Sequence, residues 1–174
     1  MNEVIKAMEE RRSVRGYLPD MPKQEDIDTV IEAGLYAASG MGQQCPIIIS
    51  VTDRATRDQL SEMNRKIGGW QEGFDPFYGA PAVLVVLAPK ARPTYLYDGS
   101  LVMGNLMLAA HALGLGSCWI HRAKEEFESE EGKAILKKLG IEGEYEGIGH
   151  CILGYPKEEL PAAPERKNGR VYKI

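Results

Sequence analysis

The middle of the chain contains an unbroken apolar segment, Ala82-Val83-Leu84-Val85-Val86-Leu87. A strand that is apolar at every position is buried on both faces, so this segment predicts the central strand of a covered sheet. The turn-forming residues Gly79-Ala80-Pro81 precede it. The whole apolar run from Ala80 to Ala88 is far shorter than the roughly 20 residues that a membrane span needs.

Helical and strand-like patterns alternate around this strand. Apolar residues spaced by three and four predict helices, and short β-branched runs predict strands. Before the central strand we expect a short helix with Val4, Ile5 and Met8 on its apolar side, an amphipathic helix from Lys23 to Ala38, a strand at 46–51 and a helix capped by Asp53. After it we expect a long helix capped by Asp98, a strand at 117–120, helical turns at 124–139 and a strand at 145–153. This order indicates a single α/β or α+β sheet protein.

Composition and charge limit the class of protein. The 174 residues are 44% hydrophobic and 26% charged, which is typical of one globular domain, here spanning residues 1–174. A net charge of -4 makes nucleic acid and anionic membranes poor partners. Three cysteines that are far apart and form no C-x-x-C pair indicate reduced thiols, and hence a cytoplasmic protein without a zinc site.

The densest group of cations is Arg11-Arg12-Ser13-Val14-Arg15. These three guanidinium groups and one hydroxyl suit a phosphate, because arginine donates in a fork and serine adds a neutral donor. Cations at the end of a helix also complement the helix dipole while they remain solvated. The spacing alone leaves both interpretations open.

A second candidate segment, Ser39-Gly40-Met41-Gly42-Gln43-Gln44, follows the second predicted helix. Its small residues allow the backbone to approach a planar heterocycle, and its amides can read the edge of such a ring. It lacks the glycine spacing of a dinucleotide-binding fold, so a helix C-cap followed by a loop is the alternative.

A third candidate segment runs from Leu115 to Arg122. It offers Trp119 as a flat surface and Cys118 as a nucleophile, although both residue types are more often found in the core. No catalytic spacing supports a cysteine or serine nucleophile. His111 and His150 are expected to be ordinary core or surface histidines.

Three other segments have simpler interpretations. The acidic pair Glu125-Glu126 predicts a solvated face. Residues 68–81 are rich in glycine, aromatic residues and proline, which favours a loop suited to covering a ligand. The tail after Gly154 is rich in proline but ends in the alternating Arg170-Val171-Tyr172-Lys173-Ile174, so we expect an arm that pairs with something distant in sequence.

The order of these motifs resembles the nitroreductase family of flavin-dependent oxidoreductases. The resemblance covers almost the whole chain and rests on five landmarks: Arg11-Arg12-Ser13-Val14-Arg15, Ala38-Ser39-Gly40-Met41-Gly42-Gln43-Gln44, Gly79-Ala80-Pro81, Gly114-Leu115-Gly116-Ser117-Cys118-Trp119-Ile120 and Leu153-Gly154-Tyr155-Pro156. The family usually has an Asn before the Gln of the second landmark and a Pro-Trp after it, whereas this chain has Gly42 and Cys45-Pro46.

The resemblance implies an α+β fold with a central, mostly antiparallel sheet wrapped by helices. It also implies a homodimer that binds FMN at the subunit interface and exchanges the 155–174 arm. Arg11, Arg12 and Ser13 would hold the phosphate and ribityl end, and Arg15 would lie near the pyrimidine edge, where a cation stabilises the anionic reduced flavin. The other implied contacts are Ser39, Gly40 and Gln44 from the second subunit, Cys118, Trp119 and Ile120 along the isoalloxazine, and Arg166 and Lys167 at the phosphate.

The resemblance further implies transfer of reducing equivalents from NADH or NADPH to a flat acceptor such as a nitroaromatic or a quinone, in ping-pong order. The flavin carries this chemistry, so no side chain is expected to be catalytic and Cys118 is expected to pack against the ring. Two alternatives are a flavin-binding protein that stores or senses the cofactor without turnover, and a small phosphate-ligand or nucleic-acid module built on residues 11–15. The net charge argues against the second.

Overall fold

The apolar segment at 82–87 lies at the centre of a sheet, as its composition predicts. The computed structural model describes residues 2–174. Its strands are β1 (Ile47–Val51), β2 (Ala82–Pro89), β3 (Gly116–Ile120) and β4 (Tyr145–Gly154). They form an antiparallel sheet in the spatial order β1-β2-β4-β3. Residues 82–88 are fully buried because strands flank β2 on both sides and helices cover both faces.

Helices lie on both faces of this sheet. They are α1 (Glu3–Glu10), α2 (Gln24–Leu35), α3 (Arg54–Gly68), α4 (Tyr95–Ala112), α5 (Ala123–Glu128) and α6 (Glu130–Lys138). Helices α2 and α4 pack on one face, and α3, α5 and α6 pack on the other. The expected α+β fold, with an antiparallel sheet wrapped by helices, is confirmed. Within residues 2–174, no helix combines the length and the apolar character needed to cross a membrane.

The side chains of β2 alternate between two hydrophobic cores. Leu84 and Val86 point toward α2 and α4, whereas Val83 and Val85 point toward α3, α5 and α6. Each of these buried side chains contributes about 1.5–3 kcal/mol of transfer free energy. One strand therefore ties the two faces together, which explains why its sequence contains no polar position.

One of the two predicted capping aspartates caps its helix. Asp53 accepts a hydrogen bond from the backbone N–H of Thr56 at 2.8 Å, and α3 begins at Arg54, as predicted. The prediction for Asp98 is wrong, because α4 begins at Tyr95 with Thr94 at the N-cap position. Asp98 is buried in the first turn of α4, where its carboxylate binds the Gly40 backbone and the Thr94 hydroxyl. A partner that is distant in sequence determines its role.

The prediction of a solvated acidic face is wrong for Glu126. This side chain is fully buried and accepts a hydrogen bond from the side chain of Asn64 at 2.5 Å. Its other oxygen lies 2.9 Å from Nε2 of His150, which is a core histidine as expected. Glu125 is exposed. Glu126 is buried because two polar partners satisfy its oxygens inside the core.

Two segments keep large apolar side chains exposed within this chain. Val4, Ile5 and Met8, on the expected apolar side of α1, are 47–55% exposed. In the tail, every residue from 157 to 174 except Leu160 is exposed, and this part of the described chain contains no helix or strand. Val171 and Tyr172 are 77% and 87% exposed. The start of the arm forms an antiparallel bridge between Pro156 and Tyr17, whereas pairing of residues 170–174 with another element stays a prediction.

Candidate functional site

The basic segment at 11–15 lies beside β3. The backbone N–H of Val14 donates to the carbonyl of Ser117 at 3.0 Å, and Ser13 forms a parallel bridge with Ser117. Gly116 permits this approach, because a Cβ at that position would lie 2.9 Å from Cγ2 of Val14. The fold therefore joins the first and fourth landmarks of the sequence into one structural unit.

Arg11 and Arg12 contain buried nitrogen atoms that have no hydrogen-bond partner. Among the residues described, Nη1 of Arg11, Nε of Arg12 and Oγ of Ser117 are buried and unpaired. Burying part of a guanidinium group without a partner is costly, so this arrangement favours an anion beside the two arginines. Both arginines are half-buried, which favours the phosphate interpretation over a fully solvated helix end. The donor set fits the phosphate of FMN.

The basic segment lies near the end of α4, where Arg11, Arg12 and the acidic Glu10 all act on His111. Burial lowers the pKa of His111, and the nearby charges of Arg11 and Arg12 lower it further, against an opposing effect of Glu10. His111 lies in the last turn of α4, so the end of that helix faces the basic segment. Local cations, and not the net charge, determine how this surface interacts with an anion.

Ser13 and Arg15 face the start of the tail. With Val14 and Gly16 they line one side of a cavity of about 220 Å³, and residues 157–161 line the other. The backbone N–H of Lys157 donates to the carbonyl of Gly16 at 3.0 Å, which fixes the tail to this side. The side chains of Ser13 and Arg15 are exposed and therefore accessible to a ligand.

Ser39, Gly40 and Gln44 belong to one constrained loop. Residues Gly40–Gly42 form a single 3-10 turn, and the hydroxyl of Ser39 accepts a hydrogen bond from the backbone N–H of Gln44 at 2.9 Å. Met41 and Gln44 have left-handed backbone conformations, with φ of 56° and 51°. The side chain of Gln44 is exposed. The structure therefore presents the amides that the sequence singled out at the surface of the molecule.

The three predicted contacts on β3 do not share one face of the sheet. Cys118 and Ile120 point into the core beneath α3, α5 and α6, whereas Trp119 packs on the opposite core. The indole covers Gly149, where a Cβ would lie 2.5 Å from its Nε1. A flat ring on one face of the sheet would contact the side chains of Cys118 and Ile120, and a ring on the other face would contact that of Trp119. Only the β3 backbone could bring all three residues into contact with one ring.

Arg166 and Lys167 lie apart from the basic segment within this chain. Arg166 donates to the carbonyl of Pro164, and both side chains are exposed. No hydrogen bond recorded for residues 2–174 joins either of them to residues 11–15. Their predicted role at the phosphate therefore requires the arm of a second subunit or a different course of the tail.

The loop at 69–81 is attached to α3 by an ion pair between the buried Arg57 and the half-buried Asp75. Asp75 accepts hydrogen bonds from Arg57 at 2.5 Å and from Ser61 at 2.6 Å. Burial raises the pKa of Asp75, but the hydrogen bonds from Arg57, Ser61 and the Phe77 backbone outweigh this effect and hold the pKa below its usual value. These bonds of Asp75 attach the loop to α3. The role of the loop in covering a ligand stays a prediction.

Comparison with known proteins identifies the family. A model of the Nitroreductase family matches residues 8–69 and 69–155. A relative from Archaeoglobus fulgidus, provisionally named NADH dehydrogenase/NAD(P)H nitroreductase, is 32% identical over 164 residues, which cover 91% of this chain and 88% of the relative. The chain belongs to the nitroreductase family.

Two further comparisons support this assignment. A protein from Bacillus subtilis named FMN reductase (NAD(P)H) is 29% identical over 186 residues, covering 94% of this chain and 70% of that protein. A crystal structure of a nitroreductase with bound FMN from Bacteroides fragilis has a TM-score of 0.91 at 27% identity, with 100% of both chains covered. The resemblance stated from the sequence motifs is confirmed.

Sequence reasoning about this nitroreductase-family chain missed Ser117, His111 and Asp98 near the candidate site. Ser117 lies within a quoted landmark, and its position directly after Gly116 was the available signal. The sequence indicates only a helix cap for Asp98 and only a structural histidine for His111. Each of these side chains approaches the site through contacts between segments that are distant in sequence.

Proposed function

We propose that this chain is an FMN-dependent oxidoreductase that uses NADH or NADPH and reduces a flat acceptor such as a nitroaromatic or a quinone. The observation that carries the proposal is the pair of buried, unpaired guanidinium nitrogens on Arg11 and Arg12 beside β3. Such atoms favour a phosphate-bearing ligand. Membership of the family, and the names of relatives that are FMN or NAD(P)H enzymes, support FMN as that ligand.

In this proposal the residues divide by the part of FMN that each contacts. Arg11, Arg12 and Ser13 bind the phosphate and ribityl end, and Arg15 approaches the pyrimidine edge. The remaining contacts proposed are Ser39, Gly40 and Gln44 from the second subunit, the β3 residues Cys118, Trp119 and Ile120 along the isoalloxazine, and Arg166 and Lys167 at the phosphate. When bound, FMN supplies the electron transfer itself. The side chains bind and orient, and none acts as a nucleophile.

We also propose that the chain, as one domain spanning 1–174, functions as a homodimer. Support comes from apolar side chains that lack cover in one chain, including those of Val4 and Met8 on α1. The arm adds Val171, Tyr172 and Ile174, all strongly exposed. A second copy of the chain that buries these groups would also bring the 39–44 loop and the arm to the partner's basic segment.

Visible absorption and steady-state kinetics test the proposal. Purified protein is expected to be yellow and to contain FMN in stoichiometric amount. With menadione as acceptor, oxidation of NADPH or NADH should give parallel double-reciprocal lines, because the nicotinamide must leave the flavin face before the acceptor can reach it. Intersecting lines would indicate a ternary complex and contradict ping-pong order. A colourless protein that does not bind added FMN would contradict the proposal as a whole.

A further inference from the structure

We propose that Asp98 is a positioning residue for the 39–44 loop, and that it fixes this loop so that Ser39, Gly40 and Gln44 contact the flavin ring. The inference rests on the proposed function and extends it to a carboxylate that does not itself touch the cofactor. Four features of the structure carry it: the hydrogen bonds of Asp98, the close approach of Thr94 to Gly40, the strain in the loop and the space beneath it.

Both carboxylate oxygens of Asp98 are engaged. Oδ1 accepts a hydrogen bond from the backbone N–H of Gly40 at 2.9 Å, and Oδ2 accepts one from the hydroxyl of Thr94 at 2.8 Å. Asp98 is only 4% exposed. Hydrogen bonds to a buried ionised acceptor are stronger than bonds between neutral groups. The first turn of α4 is thereby attached to the first residue of the 3-10 turn.

Thr94, at the N-cap of α4, packs closely against the same residue. A Cβ at Gly40 would collide with Oγ1 of Thr94 and would lie 3.1 Å from its Cβ and Cγ2. Glycine is therefore needed at position 40 for this close approach of the loop to the start of α4. Asp98 and Thr94 together define the distance between the loop and the helix.

The loop stores backbone strain that Asp98 helps to maintain. The described chain has four non-glycine residues with positive φ, and two of them, Met41 and Gln44, lie in this loop. Met41 is 90% exposed, so burial of its side chain does not offset the strain. Left-handed conformations at such residues persist where surrounding bonds over-determine them, and they cluster at ligand contacts. Besides the two backbone bonds of the 3-10 turn, the backbone N–H of Gly40 donates to Asp98 and that of Gln44 donates to the Ser39 hydroxyl.

Packing beneath the loop does not replace these bonds. A cavity of about 110 Å³ lies beside the loop, between it and residues of α2 and α4, and its lining includes Ser39, Gln44 and Asp98. Without the carboxylate, the Gly40 amide would lose its acceptor and the loop could relax into this space. Loss of Asp98 should therefore weaken binding of the flavin ring and leave the phosphate contacts unchanged.

The test compares Asp98→Ala with Asp53→Ala as a matched control. Asp53 also accepts one backbone N–H and one threonine hydroxyl, both from Thr56, but it does so at the start of α3, outside the proposed site. Flavin affinity is measured by fluorescence quenching with FMN and with riboflavin, which lacks the phosphate, and urea unfolding reports the stability of the flavin-free proteins. We expect Asp98→Ala to raise the Kd for both flavins by about tenfold, which corresponds to about 1.4 kcal/mol.

The conservative variant and the control sharpen the result. Asp98→Asn keeps an acceptor for the Gly40 amide and should retain most of the affinity. Asp53→Ala should lower stability with both Kd values unchanged. If Asp98→Ala does not fold, Thr94→Val takes its place, because it removes the hydroxyl bond to Asp98 and keeps the side-chain shape. Thr94→Val should raise the Kd for both flavins. Unchanged Kd values would overturn the inference.

The outcomes separate this inference from the proposed function. If the unmodified protein does not bind FMN, the proposed function itself fails. If it binds FMN and Asp98→Ala loses stability with unchanged flavin affinity, Asp98 is structural only and the inference is overturned. A loss of FMN affinity without a loss of riboflavin affinity would also overturn it, because the effect would then arise at the phosphate.

Discussion

Single residues determine whether the basic segment binds an anion, and Arg11 is the most direct place to test this. Its replacement by Ala removes a charge-assisted donor worth roughly 1.5–3 kcal/mol, so the affinity for FMN should fall about 10- to 100-fold. Riboflavin affinity should hardly change, because riboflavin lacks the phosphate. Lys90→Ala, which removes a surface cation paired with Glu128, should leave both affinities unaltered. Retention of full FMN affinity by an Arg11→Ala, Arg15→Ala double variant would refute the assignment.

The buried polar group around Glu126 gives a second test at this scale. Glu126→Ala would leave Nε2 of His150 without a partner inside the core and would remove one of the two acceptors of the Asn64 side-chain amide. Each buried polar group left unpaired costs about 1–3 kcal/mol, so the free energy of unfolding in urea should fall by about 2–5 kcal/mol. The adjacent exposed residue provides the control, since Glu125→Ala should change stability by less than about 0.5 kcal/mol. Equal effects of the two variants would contradict the structural role of Glu126.

The contrast between three acidic residues shows how far the sequence alone could lead. Asp53 was predicted correctly because its partner, Thr56, is three residues away and belongs to the same helix start. Asp98 and Glu126 were not, because the groups that bind them, on Gly40, Asn64 and His150, are distant in sequence. Local patterns specify caps and periodicity, whereas burial of a charge depends on tertiary contacts.

Among the elements, the loop at 69–81 depends on the ion pair between Arg57 and Asp75. The pKa of Asp75 is lower in the folded protein than its ordinary value, so this pair stabilises the fold at neutral pH. That contribution should disappear as the pH falls through about 4 and below, where the carboxylate becomes protonated. Asp75→Asn should lower the melting temperature at pH 7, reduce the acid-dependent loss of stability and speed proteolysis within the loop.

A partner of the same arginine supplies the control for that prediction. Asp58 also pairs with Arg57, at 3.0 Å, but it lies on α3 itself and its side chain is more exposed than that of Asp75, at 45% against 34%. Solvent-exposed pairs contribute little, so Asp58→Asn should have a much smaller effect on the melting temperature and none on proteolysis of the loop. If the two variants behave alike, the ion pair between Arg57 and Asp75 does not hold the loop.

The strands and helices themselves were largely predictable. The segment at 82–87 was predicted as a central buried strand because all its residues are apolar, and the spacing in α2 indicated its buried face at Ile27 and Val30. The apolar side of α1 was also recognised, but Val4, Ile5 and Met8 are exposed in this chain. A periodic pattern predicts that a face is apolar without specifying whether the same chain or a partner covers it.

The proposed role of the arm predicts that dimerisation of the whole molecule depends on its C-terminal residues. Deletion of residues 161–174 removes the exposed side chains of Val171, Tyr172 and Ile174, and with them the proposed contacts of Arg166 and Lys167. We expect weaker dimerisation, a melting temperature that depends more strongly on protein concentration, and lower FMN affinity. Light scattering and flavin titration provide the measurements.

A matched variant separates the arm's contacts from its length. Val171→Ser, Tyr172→Ser and Ile174→Ser together keep the chain length and should weaken the dimer in the same direction as the deletion. A stable monomer of 19.2 kDa that retains FMN would refute the shared site. Unchanged dimerisation after the deletion would refute the arm.

The central claim, that the bound flavin takes electrons from a nicotinamide and passes them to an acceptor, is tested most directly by anaerobic stopped-flow absorption of the FMN-loaded protein. Mixing with NADH or NADPH should bleach the flavin absorbance in the absence of any acceptor. A second mixing step with menadione or a nitroaromatic should restore it. If neither nicotinamide bleaches the flavin, the claim of an oxidoreductase is contradicted, and the protein binds flavin without turnover.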